Sequence, residues 1–324
     1  MLQQTQVKTV LGYWERWMKA LPDVRSLAAA KPGRAHKLWE GLGYYTRVRN
    51  MQKAARQIVA EHGGEFPQDF EAVLALPGIG RYTAGAICSI AFNQPAPILD
   101  GNVTRVLTRL FGIGGDPRER PVNDELWTLA EALVQEAARM QLADSRRTGG
   151  ACSHLNQSLM ELGALVCTPR QPRCASCPVA RRCVAFRRNL VANLPQPRRR
   201  PRAVARRFVA FVVEKRGRLL VRQRPAGVVN AHLWEFPNTE LEAGDCTHER
   251  AAREVLGCAA VALEPLCIIK HSITRYRITL EVLRATLDGA NVAPRGGKWL
   301  GPAELRRLPF ASAHKKILLR LGGA

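Results

Sequence analysis

Two groups of residues in this chain are of types and spacings that can do chemistry. The first lies between Leu76 and Val103. It reads Leu76-Pro77-Gly78-Ile79-Gly80-Arg81-Tyr82-Thr83-Ala84, then Leu99-Asp100-Gly101-Asn102-Val103. Gly78 and Gly80 permit backbone angles closed to other residues. A helix starting near Arg81 would present free N–H groups at its N-terminus, a site for an anion that needs no side chain. The same residues fit a plain helix–helix turn followed by a surface Asp. Asp100 follows the hairpin's second helix, which could carry the carboxylate back beside the turn. The second group is Cys167-x6-Cys174-x2-Cys177-x5-Cys183. Four thiolates in a short loop suit a [4Fe-4S] cluster. Structural zinc is the competitor, but its sites usually show two close Cys pairs, and only Cys174 and Cys177 form one here.

The elements that must position these residues are helical as far as residue 200. Phe70, Val73, Leu74 and Leu76 form a short apolar helix that Pro77 stops. Val7, Val10, Leu11, Trp14, Trp17 and Met18 share one helical face. Gly41-Leu42-Gly43-Tyr44-Tyr45 leads into a helix that Gly63-Gly64 caps. The two adjacent Tyr, with Arg47 and Arg49, could stack on bases and hold phosphates; Tyr44 or Tyr45 could equally be core. Asn123 is expected to N-cap a helix built on Leu126, Leu129, Ala130, Leu133 and Val134. Residues 142–152 read as a loop, and His154 to Val166 as another apolar helix. Leu194 to Arg202 is a Pro/Arg linker, expected extended.

The composition then shifts. Phe208 to Val213 reads as a strand, Lys215-Arg216-Gly217 as a turn and Leu219-Leu220-Val221 as the return strand. Leu266–Lys270 and Thr274–Leu283 form a second pair, with Tyr276, Ile278, Leu280 and Val282 alternating with polar residues. A helix from Thr247 to Leu256 is stopped by Gly257, and a last helix holds Ile317, Leu318 and Leu321. The expected fold is α+β in two domains: an all-α helix-hairpin-helix domain over 1–187 carrying the cysteine loop at 167–183, a linker over 188–204, and a smaller α/β domain over 205–324.

At 324 residues the chain has room for both. It carries 49 Lys and Arg against 27 Asp and Glu, a net charge of +22, which favours a polyanionic partner. Nine cysteines, four of them clustered, favour a reducing compartment and a metal site over a disulfide framework. No run is long and apolar enough to span a bilayer. Trp14, Glu15, Arg16 and Trp17 interrupt any apolar core of a signal peptide. These features lead to the expectation of a cytoplasmic, nucleoid-associated monomer without a membrane partner.

The hairpin, Asp100 and the cysteine spacing together resemble the endonuclease III superfamily. With Met1-Leu2-Gln3-Gln4-Thr5-Gln6 and Gly41-Leu42-Gly43-Tyr44-Tyr45, nearly the whole chain resembles the MutY-type adenine DNA glycosylases. The resemblance implies removal of adenine mispaired with 8-oxoguanine or guanine in double-stranded DNA. Hydrolysis of an N-glycosidic bond passes through an oxocarbenium-like state, which a carboxylate near the sugar stabilises. It implies Asp100 for that role, Asn102 as its orienting neighbour, and Tyr82 where bifunctional relatives carry a Schiff-base lysine. Gln3, Gln4, Thr5, Tyr44, Gly78, Gly80 and Arg81 are the implied DNA contacts, and Cys167, Cys174, Cys177 and Cys183 the ligands of a [4Fe-4S] cluster. The C-terminal part resembles the Nudix-like domain of the same enzymes, through Leu233-Trp234-Glu235-Phe236-Pro237. It lacks the paired helical carboxylates that hold Mg²⁺ in a Nudix hydrolase. His271, Ser272 and Thr274 match its 8-oxoguanine-reading loop, with Arg275 in place of a His, although a plain hairpin loop accounts for the same residues. In the family a Glu that protonates the adenine immediately precedes the Met-Leu-Gln-Gln-Thr motif. No residue of this sequence stands there, and Glu15 lies too far along its helix to replace it. That departure implies an alternative, a lesion-binding protein that does not excise.

Overall fold

The computed structural model describes residues 1–3, 5–143, 150–196, 202–241, 247–258, 260–273, 275–287 and 297–322. In chain order the helices are α1 (Val7–Ala20), α2 (Val24–Ala29), α3 (Pro32–Leu38), α4 (Thr46–Glu61), α5 (Phe70–Leu74), α6 (Arg81–Phe92), α7 (Gly101–Phe111), α8 (Arg120–Ala143), α9 (Ala151–Glu161) and α10 (Val184–Arg187). Strands β1 (Val204–Val212), β2 (Glu214–Lys215), β3 (Arg218–Gln223), β4 (Trp234–Glu235) and β5 (Asn238–Glu240) follow. Then come α11 (His248–Leu256), β6 (Ala260–Ile273), β7 (Tyr276–Leu287), β8 (Gly297–Leu300), α12 (Pro302–Arg307) and α13 (Ser312–Arg320). Among the described residues no strand precedes β1.

The chain divides into two compact units, Ala60–Arg200 and the pair Met1–Val59 with Pro201–Ala324. In the first, α5 and α6 pack through Val73, Ala84 and Cys88, all fully buried. Asp69 caps α5 by accepting a 2.9 Å hydrogen bond from the Ala72 amide. A second core gathers Ile98 and Leu99, just before α7, with Val103, Val106, Leu107, Leu126 and Leu159 from α7, α8 and α9. Gly85 makes the close approach possible: a Cβ there would lie 2.0 Å from the Pro97 carbonyl oxygen. Helix α8 begins at Arg120, so Asn123 lies inside the first turn instead of capping it; its side chain donates to the Pro117 carbonyl at 3.0 Å. The expected loop over 142–152 is shorter than its limits, because α8 runs to Ala143 and α9 starts at Ala151.

The second unit joins α1 to α3 and most of α4 to two sheets. One has the order β5-β1-β7-β6; the other joins β2, β3 and β4, with β8 on β3. The expected hairpin of Phe208–Val213 with Leu219–Val221 forms only at its tip, where β2 pairs β3. The body of that strand pairs with β7 in parallel and β5 antiparallel. Val209, Phe211 and Val213 are almost fully buried under α11 while Ala210 and Val212 face the opposite core, so both faces of the strand are covered. Strands β6 and β7 form the second expected pair in register His271↔Ile278 and Ile273↔Tyr276.

The α1 face is buried only at Val10 and Trp17; Val7, Leu11 and Trp14 are 60, 56 and 52% exposed. Trp17 meets Trp39 edge to face at 5.8 Å in a core that also takes in Leu233 and Ala311, from the other end of the chain. Glu40, almost buried, fastens this packing: it accepts hydrogen bonds from the Phe310 amide at 2.9 Å and the Lys315 ammonium at 2.6 Å, and pairs with Lys37 at 2.9 Å. These three partners outweigh burial and hold its carboxyl below the usual range.

Candidate active site and nucleic-acid interface

The turn between α5 and α6 is tight because Leu76 is buried and the Ile79 amide returns to its carbonyl at 3.1 Å. Gly78 has φ of +83°, which favours glycine, whereas Gly80 is extended with φ −104° and needs no special freedom. A Cβ at Gly80 would point into open space, so its lack of a side chain leaves room at the start of α6. Gly80 supplies no capping oxygen to that helix N-terminus. Arg81 is exposed, with its guanidinium 4.0 Å above the Trp127 ring. Tyr82 is half-buried, and its hydroxyl meets Met160 Sδ at 3.4 Å. Burial first, and the Asp100 charge second, push its phenol up, so it stands as a neutral phenol at neutral pH.

Asp100 is the N-cap of α7. Its Oδ1 accepts from the Asn102 amide at 2.9 Å and the Val103 amide at 2.7 Å. Oδ2 has no hydrogen-bond partner among the described residues. One carboxylate oxygen is thus fixed by the helix and the other is left for a ligand. Asn102 is held in turn: its Oδ1 accepts from Arg105 at 2.9 Å. Arg105, only 8% exposed, also donates to the carbonyls of Cys167 at 2.7 Å and Gly163 at 2.6 Å. Gly163 sits in a π-helical turn, Leu162–Val166, where a Cβ would lie 2.7 Å from that of Asn102. Arg109, one turn along α7 and 4% exposed, donates to Thr168 and Leu194 carbonyls and reaches Cys167 Sγ at 3.4 Å. Neither arginine was expected from the sequence to take part. Their signal was two Arg four apart on an otherwise apolar helix face beside Val103, Val106 and Leu107.

The four cysteines expected to ligate a metal line one cavity of about 30 Å³, together with Arg109, Arg173 and Phe186. All four are unpaired thiols. Burial raises the Cys174 thiol first, then the neighbouring Cys167 and Cys183, while Arg109 lowers it, so the sulfurs sense one another. Among the described residues no three Cys, His, Asp or Glu side chains converge as a site for a metal ion. The four thiols sharing one cavity, with Arg109 and Arg173 beside them, fit an anionic group held by thiolates. Arg170, Arg181 and Arg182 are exposed around the loop.

In the other unit, Arg47 ties the N-terminal segment to the Gly-Tyr loop. It donates to the Met1 carbonyl at 3.0 Å, the Gln3 carbonyl, Thr5 Oγ1 at 3.1 Å and the Leu42 carbonyl at 3.1 Å. Arg47 is therefore a clamp on backbone carbonyls, and Arg49 donates to the Ala231 carbonyl and Thr46 Oγ1. The tyrosine pair divides: Tyr44 is 58% exposed with φ of +46°, whereas Tyr45 is 3% exposed and bonded to the Gly41 amide. Burial drives the Tyr45 phenol up to about 12. The Arg47 clamp brings Gln3, Thr5 and Tyr44 together; Gln4 lies outside the described residues. His271 is partly buried with Nδ1 unpartnered, Ser272 is exposed, and Thr274 lies outside the described residues. Arg275 stacks on the Tyr276 ring at 5.2 Å. Glu249 and Glu254 on α11 are exposed, so that helix offers no converged carboxylates for Mg²⁺.

Residues 1–132 match the HhH-GPD superfamily of base excision DNA repair proteins, and residues 208–320 match the NUDIX domain. The chain is 36% identical to an adenine DNA glycosylase of Mus musculus over 98% of this chain and 69% of that protein. It is also 36% identical to one of Homo sapiens over 98% of this chain and 66% of that protein. With both domain types present and similarity along nearly its whole length, the chain belongs to the adenine DNA glycosylase family.

Proposed function

We propose that this chain removes adenine mispaired with 8-oxoguanine or guanine from double-stranded DNA, as a monomer, by hydrolysing the N-glycosidic bond. The observation that carries the reading is the split role of the Asp100 carboxylate. Oδ1 is immobilised by two amides of α7, and Oδ2 is left to face positive charge developing on the sugar. The carboxylate is already oriented, so little reorganisation accompanies the reaction. Asn102, pinned by Arg105, keeps the adjoining backbone in place. Tyr82 is no amine, so no Schiff base forms at its position and base removal proceeds without the lyase step. Gly78, Gly80 and Arg81 hold a backbone phosphate at the start of α6. Gln4 and Tyr44 fill the duplex near the 8-oxoguanine, and Gln3 and Thr5 are further DNA contacts.

Cys167, Cys174, Cys177 and Cys183 would hold a [4Fe-4S] cluster, which when bound supplies a rigid cross-link of the basic loop and no hydrolytic chemistry. Arg105 and Arg109 orient that loop against α7. His271, Ser272 and Thr274, with the Arg275–Tyr276 stack beside them, read the 8-oxoguanine. In this division of labour residues 1–187 excise and residues 205–324 discriminate. Binding without excision is the less favoured reading, because the relatives matched over 98% of this chain are named for excision. A single-turnover assay on an A:8-oxoguanine duplex, with alkaline cleavage of the abasic product, decides between them. Excision that Asp100→Asn removes supports the proposal; a duplex bound but left intact by the unaltered protein returns the reading to a lesion binder.

A further inference from the structure

Within the unit that joins Met1–Val59 to Pro201–Ala324 lies a half-open cleft of about 390 Å³. Its walls come from α3, α4, β3, β4 and the end of α12. None of the residues lining it is acidic. Four are permanent cations: Arg49, Lys53, Arg56 and Arg307. The three on α4 follow at i, i+4 and i+7 and so share one stripe of that helix. Like charges on one stripe repel unless something compensates them, and here no facing carboxylate does. Arg49 is oriented by the Ala231 carbonyl at 3.2 Å and Thr46, and Arg56 by the Ala28 carbonyl at 3.2 Å. Lys53 and Arg307, from opposite walls, have no hydrogen-bond or ion-pair partner among the described residues, so their N–H groups are left for a ligand. The exposed His232 adds a ring to one side, backed by the buried Trp234.

The positive field registers on a neighbour. His36, at the edge of the cleft, is nearly buried, and burial first, then the charges of Arg49 and His232, lower it to about 4. It is therefore neutral at neutral pH and adds no charge of its own. The volume lies within the range of small-molecule pockets, and is ample for one nucleotide but not for a longer oligonucleotide. Fixed guanidinium groups beside free donors suit a phosphate, and the exposed His232 ring suits a base.

We propose that this cleft is a second anion site that takes one nucleoside phosphate, clamped between Lys53 of α4 and Arg307 of α12. It does not depend on the excision reading, since it involves none of the residues assigned to that reaction. The same chemistry can arrive as a free nucleotide or as one nucleotide of a strand, and the experiment separates these.

Calorimetric titration of the full chain with 2′-deoxyguanosine 5′-monophosphate forms one arm. Titration with a lesion-free single-stranded DNA forms the other. Both are repeated on Lys53→Gln/Arg307→Gln and on a control of equal charge loss, Arg250→Gln/Arg253→Gln, whose sites are exposed on α11. All four substituted side chains are exposed, so the folds should survive. A mononucleotide that binds one per chain and is weakened at least tenfold by the cleft variant alone assigns the site to free nucleotide. A tenfold loss confined to the DNA arm, again in the cleft variant alone, assigns it to a strand. Equal losses in the two variants, or none in either arm, overturn the proposal, because the net charge of +22 would then account for all binding.

Discussion

Replacing Arg105 by Met is the sharpest test of how the hairpin side of the molecule is joined to the cysteine loop. Met keeps an unbranched apolar stem along the same path, while the guanidinium and its hydrogen bonds disappear. Arg105 donates to Cys167, Gly163 and Gly101 carbonyls and to Asn102 Oδ1, at 2.7, 2.6, 3.2 and 2.9 Å. The Gly101 carbonyl belongs to the helix ladder and loses least. The Cys167 and Gly163 carbonyls lie outside α7, and each loses a charged donor. A buried acceptor left without a partner costs about 1–3 kcal/mol. Two of them give about 2–6 kcal/mol, and release of the buried cation from its desolvation offsets part of that. The expected local loss is about 2–4 kcal/mol, or about 30- to 1,000-fold in an opening equilibrium. A global unfolding curve is a poor readout, because a chain of two compact units need not unfold in one step. Amide hydrogen exchange resolves the site instead. Protection should fall by that factor over residues 162–168 and the first turn of α7, and remain unchanged in α11. Arg105→Lys should recover part of it by filling one carbonyl. Unchanged protection over 162–168 in Arg105→Met would refute the argument, since the loop would then be held by something other than this guanidinium.

Asp100→Asn should lower single-turnover adenine excision by about 10²–10³-fold while leaving duplex affinity within a fewfold, because the amide oxygen still caps α7; equal losses in both would make the residue structural. Iron and sulfide analysis of anaerobically purified protein should find a [4Fe-4S] complement that Cys174→Ser diminishes, and one zinc without iron would overturn that assignment. Glu40→Ala leaves the buried Phe310 amide without its partner, while Lys37 and Lys315, 35 and 42% exposed, return to water; the change should cost about 1–3 kcal/mol, seen as faster proteolysis of 1–59; wild-type resistance would mean that the apolar contacts at Leu233 and Ala311 suffice. His314 is buried, its Nδ1 accepting from the Phe236 amide at 3.2 Å, and burial lowers it to about 4. The unfolded chain binds that proton near 6.5 and the folded chain refuses it, so this stability is complete above pH 6.5 and is lost as pH falls to 4. The difference amounts to about 3 kcal/mol, and amide-exchange protection around Phe236 in His314→Gln should show a correspondingly weaker pH dependence over that window.

Local chemistry made part of this protein legible before any contact was known. Pro77 and Gly78 mark the turn between α5 and α6, and Gly257 stops α11 at a left-handed residue. These outcomes depend on neighbours two to four positions away, so residue type and spacing suffice. The alternation in β7 likewise marks a strand with unlike faces. Partners far apart in sequence could only be settled by the fold. Tyr44 and Tyr45 are chemically the same residue, and the turn at Gly43 alone decides that one is exposed and the other core. Arg47, Arg105 and Arg109 carry the same charge as any surface arginine. Burial against carbonyls up to 85 residues away turns them into clamps. The strand from Phe208 pairs with β7 and β5 more than with its neighbour in sequence, because that pairing covers both of its apolar faces. Residues 1–59 share a core with Leu233 and Ala311 for the same reason: apolar area is buried wherever the chain brings it together, and sequence order does not specify where that is.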